Sequence, residues 1–318
     1  MITFYKTEQD GIAQIEQPEP GCWIDVYDPS IEEKGWLENT LQISAEFLSK
    51  AFDVEETAHT DHDPDTGQVL VIIDCPFVAE ESTLHGKTIA QYDTQPITFI
   101  LIPEQNYLVT ISIQRNDIVE EFARTKSAEL NTATPTRFML KALFYISEAY
   151  LTALRVVNRQ IHDCEKLLRK RITDSDLLAM LDIEKSLIYF TTSLQGLSVT
   201  ISHVEFVRTI GIDEQDAELL DDVKIEIAQA SEMCKIYTDI LEGITDAYSN
   251  VLNNNLNSTM RILTCITIIL AMPTIIFSFF GMNIDGLPLI DQWWYPVALS
   301  AVAAVVAYIV LKYNKHLR

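Results

Sequence analysis

Small polar side chains recur along one face of an otherwise apolar segment near the C-terminus. They follow one another at steps of three or four positions, which places them on one side of a helix. This polar stripe consists of Asn257, Met260, Thr264, Thr267, Ala271, Thr274 and Ser278. None of these residues is charged, so the stripe offers amide and hydroxyl oxygens and a thioether. Such groups suit passage of a cation that keeps its water shell, as Mg2+ does because it dehydrates reluctantly.

Helix packing is the alternative explanation, because small hydroxyl residues also hold membrane helices together. A second pattern on the same predicted helix bears on this choice. Residues at alternating steps of four and three form a seam: Val223, Ile227, Ala230, Cys234, Tyr237, Leu241, Ile244, Tyr248, Val251 and Asn255. This period is typical of coiled coils and predicts that symmetric copies of the helix bundle around one axis. In such a bundle an inward-facing stripe would line a pore, which favours the pore interpretation.

A further cluster of possible metal ligands lies between His59 and Asp65. Its aspartates alternate as in a Ca2+ loop, but Gly67 comes one place too late and Ile72 stands where the closing glutamate belongs. We therefore expect a solvated acidic turn before a strand at Val69. The sequence also has no Gly-rich phosphate-binding loop and no catalytic Ser-His-Asp or Cys-His spacing. We expect a protein that is not an enzyme.

Two runs without a charged residue, 262–280 and 293–311, must position the stripe. Each is close to the ~20 residues that cross a bilayer, and buried core helices are the alternative. Two such runs in succession favour a multi-pass membrane protein with a hairpin loop between them. This loop carries Asp285 and Asp291 at its outer mouth. A basic ring of Lys312, Lys315 and Arg318 follows the second run, so both termini are expected in the cytosol.

The rest of the chain is strongly acidic. The 318 residues carry a net charge of −23, and the segment from Met260 onward contributes +2, so residues 1–259 carry −25. This charge argues against binding nucleic acid, and it attracts cations. The alternative explanation is that the acidic residues serve only to keep this part of the chain soluble. The five cysteines are scattered without a Cys-x-x-Cys pair, which predicts reduced thiols on the cytosolic side.

The sequence predicts three domains. Residues 1–130 form an α+β domain with short strands at 2–5, 22–27, 69–73, 97–102 and 107–111 and a helical stretch at 30–52. Residues 131–259 form a helical hairpin, 137–170 and from Thr173 to about Val207, followed by a long stalk helix from Glu218 that continues into the first span. Residues 260–318 form the transmembrane domain.

The stretch 273–283, Pro-Thr-Ile-Ile-Phe-Ser-Phe-Phe-Gly-Met-Asn, closely resembles the signature of the CorA family of divalent-cation channels. In that family Gly-Met-Asn ends the first of two C-terminal spans, the same position it has here. Residues 23–30, Trp-Ile-Asp-Val-Tyr-Asp-Pro-Ser, are similar to the family's early strand and turn. Asn257, Met260 and Leu263-Thr264 match its approach to the membrane.

The resemblance implies a homopentamer in the plasma membrane, with a funnel-shaped cytosolic part and a passive channel for Mg2+, Co2+ and Ni2+. It places the selectivity filter at Gly281, Met282 and Asn283. It also implies that cytosolic Mg2+ bound between subunits closes the channel. One ligand of that regulatory Mg2+ aligns with Asp222, and its partner on the neighbouring subunit aligns with Glu80 or Glu81.

The sequence departs from the family pattern in three places. Pro273 lies one position later than is usual, Ala271 replaces a bulky methionine, and the loop has Gly-Leu-Pro-Leu at 286–289. A Zn2+ transporter on the same scaffold remains an alternative, because Gly-Met-Asn does not separate these ions. A membrane-anchored cytosolic sensor is a further alternative, although an anchor needs neither a second span nor a polar stripe.

Overall fold

The computed structural model describes residues 1–8, 11–84, 86–124, 130–167, 173–205, 207, 210–282 and 292–313. The strands are β1 Ile2–Glu8, β2 Gly11–Ile15, β3 Trp23–Tyr27, β4 His59–His62, β5 Val69–Leu84, β6 Lys87–Ile102 and β7 Tyr107–Ser112. The helices are α1 Ile31–Thr40, α2 Ala45–Ala51, α3 Asp117–Arg124, α4 Pro135–Leu167, α5 Asp174–Val204, α6 Glu214–Phe280 and α7 Trp294–Tyr313. The chain divides into two compact units, Met1–Gly243 and Ile244–Arg318.

All seven strands form one sheet in the order β2-β1-β3-β7-β6-β5-β4. Only the pairing of β3 with β7 is parallel; the other neighbours are antiparallel. One face of the sheet packs on α1 and α2 through a core that includes Ile24, Leu37 and Phe47. The other face packs on the long helices, as the 5.3 Å distance between the ring centroids of Trp23 and Phe138 of α4 shows. The first unit is therefore an α+β fold, as the sequence predicted.

Two strands were missed, β1 extends beyond the predicted 2–5 to Glu8, and β5 and β6 are much longer than predicted. β2 and β4 are short edge strands, and β5 and β6 each have 16 residues and pair along their full length. The sequence pattern indicates only the apolar parts, 69–73 of β5 and 97–102 of β6, because the remaining part of each strand, at the hairpin end, is largely polar. The acidic turn is confirmed at 63–67, where the Gly67 amide donates to the Asp63 carbonyl. Its N-terminal part is instead strand β4, and Asp61 in it pairs with Lys50.

The single helical stretch predicted at 30–52 is wrong, because the chain forms α1 and α2 with a break between them. Gln42 has a φ of 53°, a left-handed conformation that ends a right-handed helix. Ser44 then starts α2 by accepting a hydrogen bond from the Phe47 amide. α1 also begins at a serine that accepts a hydrogen bond from a backbone amide, since Ser30 and Glu33 form a capping box.

The seam on α6 is buried within the chain rather than left free for symmetric copies. Val223, Ile227, Ala230, Cys234 and Leu241 are no more than 3% exposed. The Cys234 thiol lies 3.4 Å from the Leu187 carbonyl and 3.2 Å from the Thr191 hydroxyl, both on α5. The expectation that this part of the seam drives self-association is therefore wrong. A heptad period specifies an apolar face, and α5 of the same chain covers that face here.

Two isoleucines on α6 test this assignment. Ile227 is 2% exposed in the seam, whereas Ile225, two positions earlier, is 62% exposed. We expect Ile227→Ala to lower the free energy of unfolding by about 2–4 kcal/mol, because it leaves a cavity. Ile225→Ala is expected to change it by less than about 0.5 kcal/mol. Denaturant unfolding of the full chain in detergent measures both, and equal losses would argue against the burial of the seam by α5.

The second unit contains the end of α6 and all of α7. By length and composition, both helices can cross a membrane. Their most apolar 18-residue windows are 0% and 11% buried, so these windows are not core helices of a soluble fold. Within this unit the rings of Phe280 and Tyr295 lie 5.8 Å apart, at the adjoining ends of the two helices. The predicted spans 262–280 and 293–311 therefore fall on α6 and α7.

Candidate pore and metal sites

The polar stripe lies entirely on α6, which continues through Pro273 without interruption. Six of its seven residues are exposed and Ala271 is half-buried. A helical segment of this length carries residues at steps of three and four on one face. The structure therefore keeps the stripe together on an unoccupied helical face.

The threonines of the stripe donate their hydroxyl protons to their own helix. Thr264 Oγ1 donates to the Met260 carbonyl at 2.8 Å, and Thr267 Oγ1 donates to the Leu263 carbonyl at 2.8 Å. Thr274 Oγ1 donates to the carbonyl four residues earlier at 3.0 Å. A hydroxyl that has used its proton in this way still has lone pairs to accept with. These oxygens therefore present acceptors outward, as the water shell of a cation requires.

Pro273 adds a further acceptor in mid-span. Proline has no amide proton, so the carbonyl of Ile269, four residues earlier, lacks its helical donor. A carbonyl freed in this way needs another partner inside a bilayer, such as water or a neighbouring side chain. Pro273 therefore leaves the Ile269 carbonyl oxygen as one more acceptor in the middle of the helix that carries the polar stripe.

The end of α6 bears directly on the predicted filter. The Gly281 amide donates to the Phe277 carbonyl at 2.9 Å, and the Met282 amide donates to the Phe279 carbonyl at 3.4 Å. A Cβ atom at position 281 would lie 3.1 Å from the Phe277 carbonyl oxygen, tighter than an ordinary contact. Glycine therefore lets the last turn close where the filter begins. Asn283, the third filter residue, lies outside the described residues.

The predicted outer-mouth acids Asp285 and Asp291 also lie outside the described residues. So do Lys315 and Arg318 of the predicted basic ring. Lys312 is in the last turn of α7, where its ammonium lies 5.9 Å from the centroid of the Tyr308 ring.

The predicted regulatory residues are on separate elements of the first unit. Asp222 is exposed on α6, and Glu80 and Glu81 are exposed in the distal half of β5. The structure shows a register shift between Val78 and Glu80. Across the described part of the chain, no three His, Cys, Asp or Glu residues come together in a way that could hold a metal ion. Within these residues Asp222 therefore belongs to no preformed metal site.

One group that the sequence analysis did not single out is Asp25 of β3. It lies inside the 23–30 segment, which was noted only for its resemblance to a strand and turn. Burial raises the pKa of its carboxyl to about 6, and the nearby charge of Glu120 acts in the same direction. The sequence offered no distinct signal for it, because an aspartate between Ile24 and Val26 fits any strand whose side chains alternate between two faces.

Comparisons with known proteins agree over most of the chain. A family model described as CorA-like Mg2+ transporter protein matches residues 19–313. The cobalt/magnesium transport protein CorA of Methanocaldococcus jannaschii is 25% identical over 291 residues, which cover 89% of this chain and 87% of that protein.

Two solved structures share the fold. The complete structure of the CorA magnesium transporter from Methanocaldococcus jannaschii matches with a TM-score of 0.79 and 21% identity, covering 99% of this chain and 98% of that one. The cytoplasmic domain of ZntB from Vibrio parahaemolyticus matches with a TM-score of 0.61 and 10% identity, covering 79% of this chain and 98% of that one.

Proposed function

This chain belongs to the CorA-like Mg2+ transporter family, and from that premise we propose that it forms a passive, Mg2+-gated channel for Mg2+ and the related ions Co2+ and Ni2+. We place it in the plasma membrane with both termini in the cytosol. Membrane localisation follows from the family and from the two apolar C-terminal helices. The filter would be Gly281, Met282 and Asn283, and the polar stripe would line the pore.

The observation that carries this proposal is the polar stripe on α6. Its threonine hydroxyls donate back to the helix and keep their lone pairs for an ion's water shell. The described part of the stripe offers no carboxylate that would hold a divalent cation tightly. Weak outer-shell contacts allow an ion both to enter and to leave, which conduction requires.

A pore of this kind needs several copies of α6 around one axis. One helix offers one stripe, and an ion must be surrounded to replace the contacts it has in bulk water. We propose the five-fold assembly implied by the family resemblance. Because α5 covers much of the seam, the copies would meet through other surfaces of the chain.

The driving force is sufficient without a chemical energy source. A divalent cation that enters down an inside-negative potential of about 100 mV gains about 4.6 kcal/mol. The acidic body, −25 over residues 1–259, would attract the cation on the cytosolic side, where it leaves the pore. We therefore propose transport without an enzymatic step.

One alternative is a Zn2+ transporter on the same scaffold. The likeness to the ZntB cytoplasmic domain concerns the fold alone, since the identity is 10%. The neutral stripe favours an ion that stays hydrated. Zn2+ prefers nitrogen and sulfur ligands, and the stripe offers only the thioether of Met260 in that class.

Flux into liposomes separates these functions. We expect the reconstituted chain to conduct Mg2+, Co2+ and Ni2+ and Zn2+ entry to be slower, with each flux rising as the interior is made more negative. Protein-free liposomes control for leakage, and native mass in detergent gives the oligomeric state. Zn2+ flux that exceeds Mg2+ flux would favour the alternative ion. A stable monomer would contradict the pore.

A further inference from the structure

A polar cavity of about 710 Å3 lies in the first unit, far along the chain from the residues assigned to the pore. Its walls come from β1, β3, the end of β7 and α3, so residues distant in sequence meet there. The charged groups that line it are the N-terminal ammonium of Met1, Asp25, Asp28, Arg115, Glu120 and Arg124. The volume is in the range of sites for small organic ligands. Nothing in the proposed transport mechanism uses this cavity.

Asp25 places a half-buried carboxylate in the cavity wall, and Asp28 lies beside it in the lining. The Thr110 hydroxyl donates to Asp25 Oδ1 at 2.7 Å, and the Trp23 indole N–H donates to the Thr110 hydroxyl oxygen at 2.9 Å. This relay fixes the carboxylate in place. Within the described residues, no basic side chain pairs with Asp25. A buried ionised carboxylate without a cation is unfavourable, which is why burial raises its pKa to about 6.

The charged groups around Asp25 are already engaged with one another. Arg115 and Arg124 both pair with Glu120 of α3. The N-terminal ammonium, which also lines the cavity, donates to the Tyr27 carbonyl at 2.6 Å and to Glu33 at 2.9 Å, so its charge is already paired with that glutamate. Its charge lowers the pKa of Asp25 only partly, against the larger effects of burial and of Glu120.

The side chains that line the cavity indicate which class of ligand it binds. A metal ion is disfavoured, because the described residues bring no three metal-binding side chains together. An anion would be repelled by the carboxylates of Asp25 and Asp28. An organic ammonium fits, since a carboxylate accepts its charged hydrogen bonds and tyrosine rings attract cations through their faces. Tyr5 and Tyr27 supply those rings, and Tyr5 is held by stacking on Trp23 at 4.8 Å between ring centroids.

We propose that this cavity is a binding site for a small organic amine, whose ammonium group binds the Asp25 carboxylate between Tyr5 and Tyr27. A diamine and an amino acid are the two sources of such an ammonium group. These two sources differ at the rim, where the carboxylate of an amino acid would meet the guanidinium groups of Arg115 and Arg124. A diamine would instead place its second ammonium near Glu120.

Calorimetric titration of the full chain in detergent tests the site with three probes of similar size: 1,4-diaminobutane, alanine and uncharged 1,4-butanediol. We expect saturable binding of at least one amine at about pH 7.5 and no binding of the diol. Binding should be roughly tenfold weaker at about pH 5, because most Asp25 carboxyls are then protonated. The probe that binds more tightly, 1,4-diaminobutane or alanine, shows whether the site takes a diamine or an amino acid.

Asp25→Asn is the decisive variant, because it keeps the acceptor for Thr110 and removes only the charge. It should weaken amine binding by about 10- to 100-fold and abolish the dependence on pH. Asp65→Asn makes the same charge change at an exposed turn and should bind like the parent. A thermal unfolding scan confirms that each variant folds. Absence of saturable amine binding up to about 10 mM, or undiminished binding in Asp25→Asn, would overturn the proposal.

Discussion

Asn283→Ala is expected to reduce Mg2+ flux by roughly 70-fold or more while leaving membrane insertion and assembly unchanged. Asn283 follows directly on Met282, after the last turn of α6 has closed at Gly281. In a five-fold assembly its amide carbonyl would form a ring of neutral acceptors for the water shell of the ion. Even about 0.5 kcal/mol from each of five acceptors amounts to ~2.5 kcal/mol, which gives this loss of flux.

Mg2+ uptake into liposomes measures the effect, and sizing in detergent checks assembly separately. Asn254→Ala is the matched control, because it makes the same change at an exposed position of α6 that belongs to neither the polar stripe nor the seam. Asn283→Asp should retain an acceptor but add charge, so it should bind cations too tightly or admit other ions. An assembled Asn283→Ala channel that conducts Mg2+ like the parent would remove Asn283 from the filter.

Asp222→Asn is expected to raise the internal Mg2+ concentration needed to close the channel by about tenfold, with little change in maximal flux. Affinity for hard cations depends strongly on the number of charged oxygen ligands. Asp222 is exposed on α6 and lies well before the polar stripe in the chain. We propose that it binds closing Mg2+ together with an acid of a neighbouring copy, since the described residues of one copy form no such cluster.

Flux from liposomes loaded with graded internal Mg2+ gives the closing concentration. Asp239→Asn, an equally exposed aspartate on the same helix, should behave like the parent. A double-mutant cycle of Asp222→Asn with Glu80→Gln or Glu81→Gln identifies the partner as the one whose effect is not additive. Neighbouring strand residues point to opposite faces, so no more than one of the two glutamates should couple. An unchanged closing concentration in Asp222→Asn would assign gating to other acids.

The α/β part of the fold could be predicted only in outline. Apolar runs located the buried halves of β5 and β6. The polar halves, next to the turn that joins the two strands, have no apolar run, and they form because each strand pairs with the other. The break between α1 and α2 depends on the left-handed conformation of Gln42. This conformation cannot be predicted from the presence of a glutamine in the sequence. The local sequence pattern therefore identified where strands and helices lie, whereas strand pairing in the folded sheet set the lengths of β5 and β6.

The cavity at Asp25 could not be predicted from the sequence. Its walls join β1, β3, β7 and α3, which meet only because of the strand order of the sheet. Asp25, in the 23–30 segment, resembles any polar residue on a strand. The burial that raises its pKa is a property of the neighbours that cover it.

The sequence by itself determined the features that depend on composition and local period. Two apolar runs of membrane length, the acidic body before them and the polar stripe on α6 all follow from residue types at fixed spacing. These features persist in the structure because a helix repeats its faces regardless of what covers them. The tertiary structure alone decided which partner each face takes. The seam from Val223 to Leu241 has the period of a self-associating helix, yet α5 of the same chain buries it, because a nearby apolar helix satisfies the face without a second molecule.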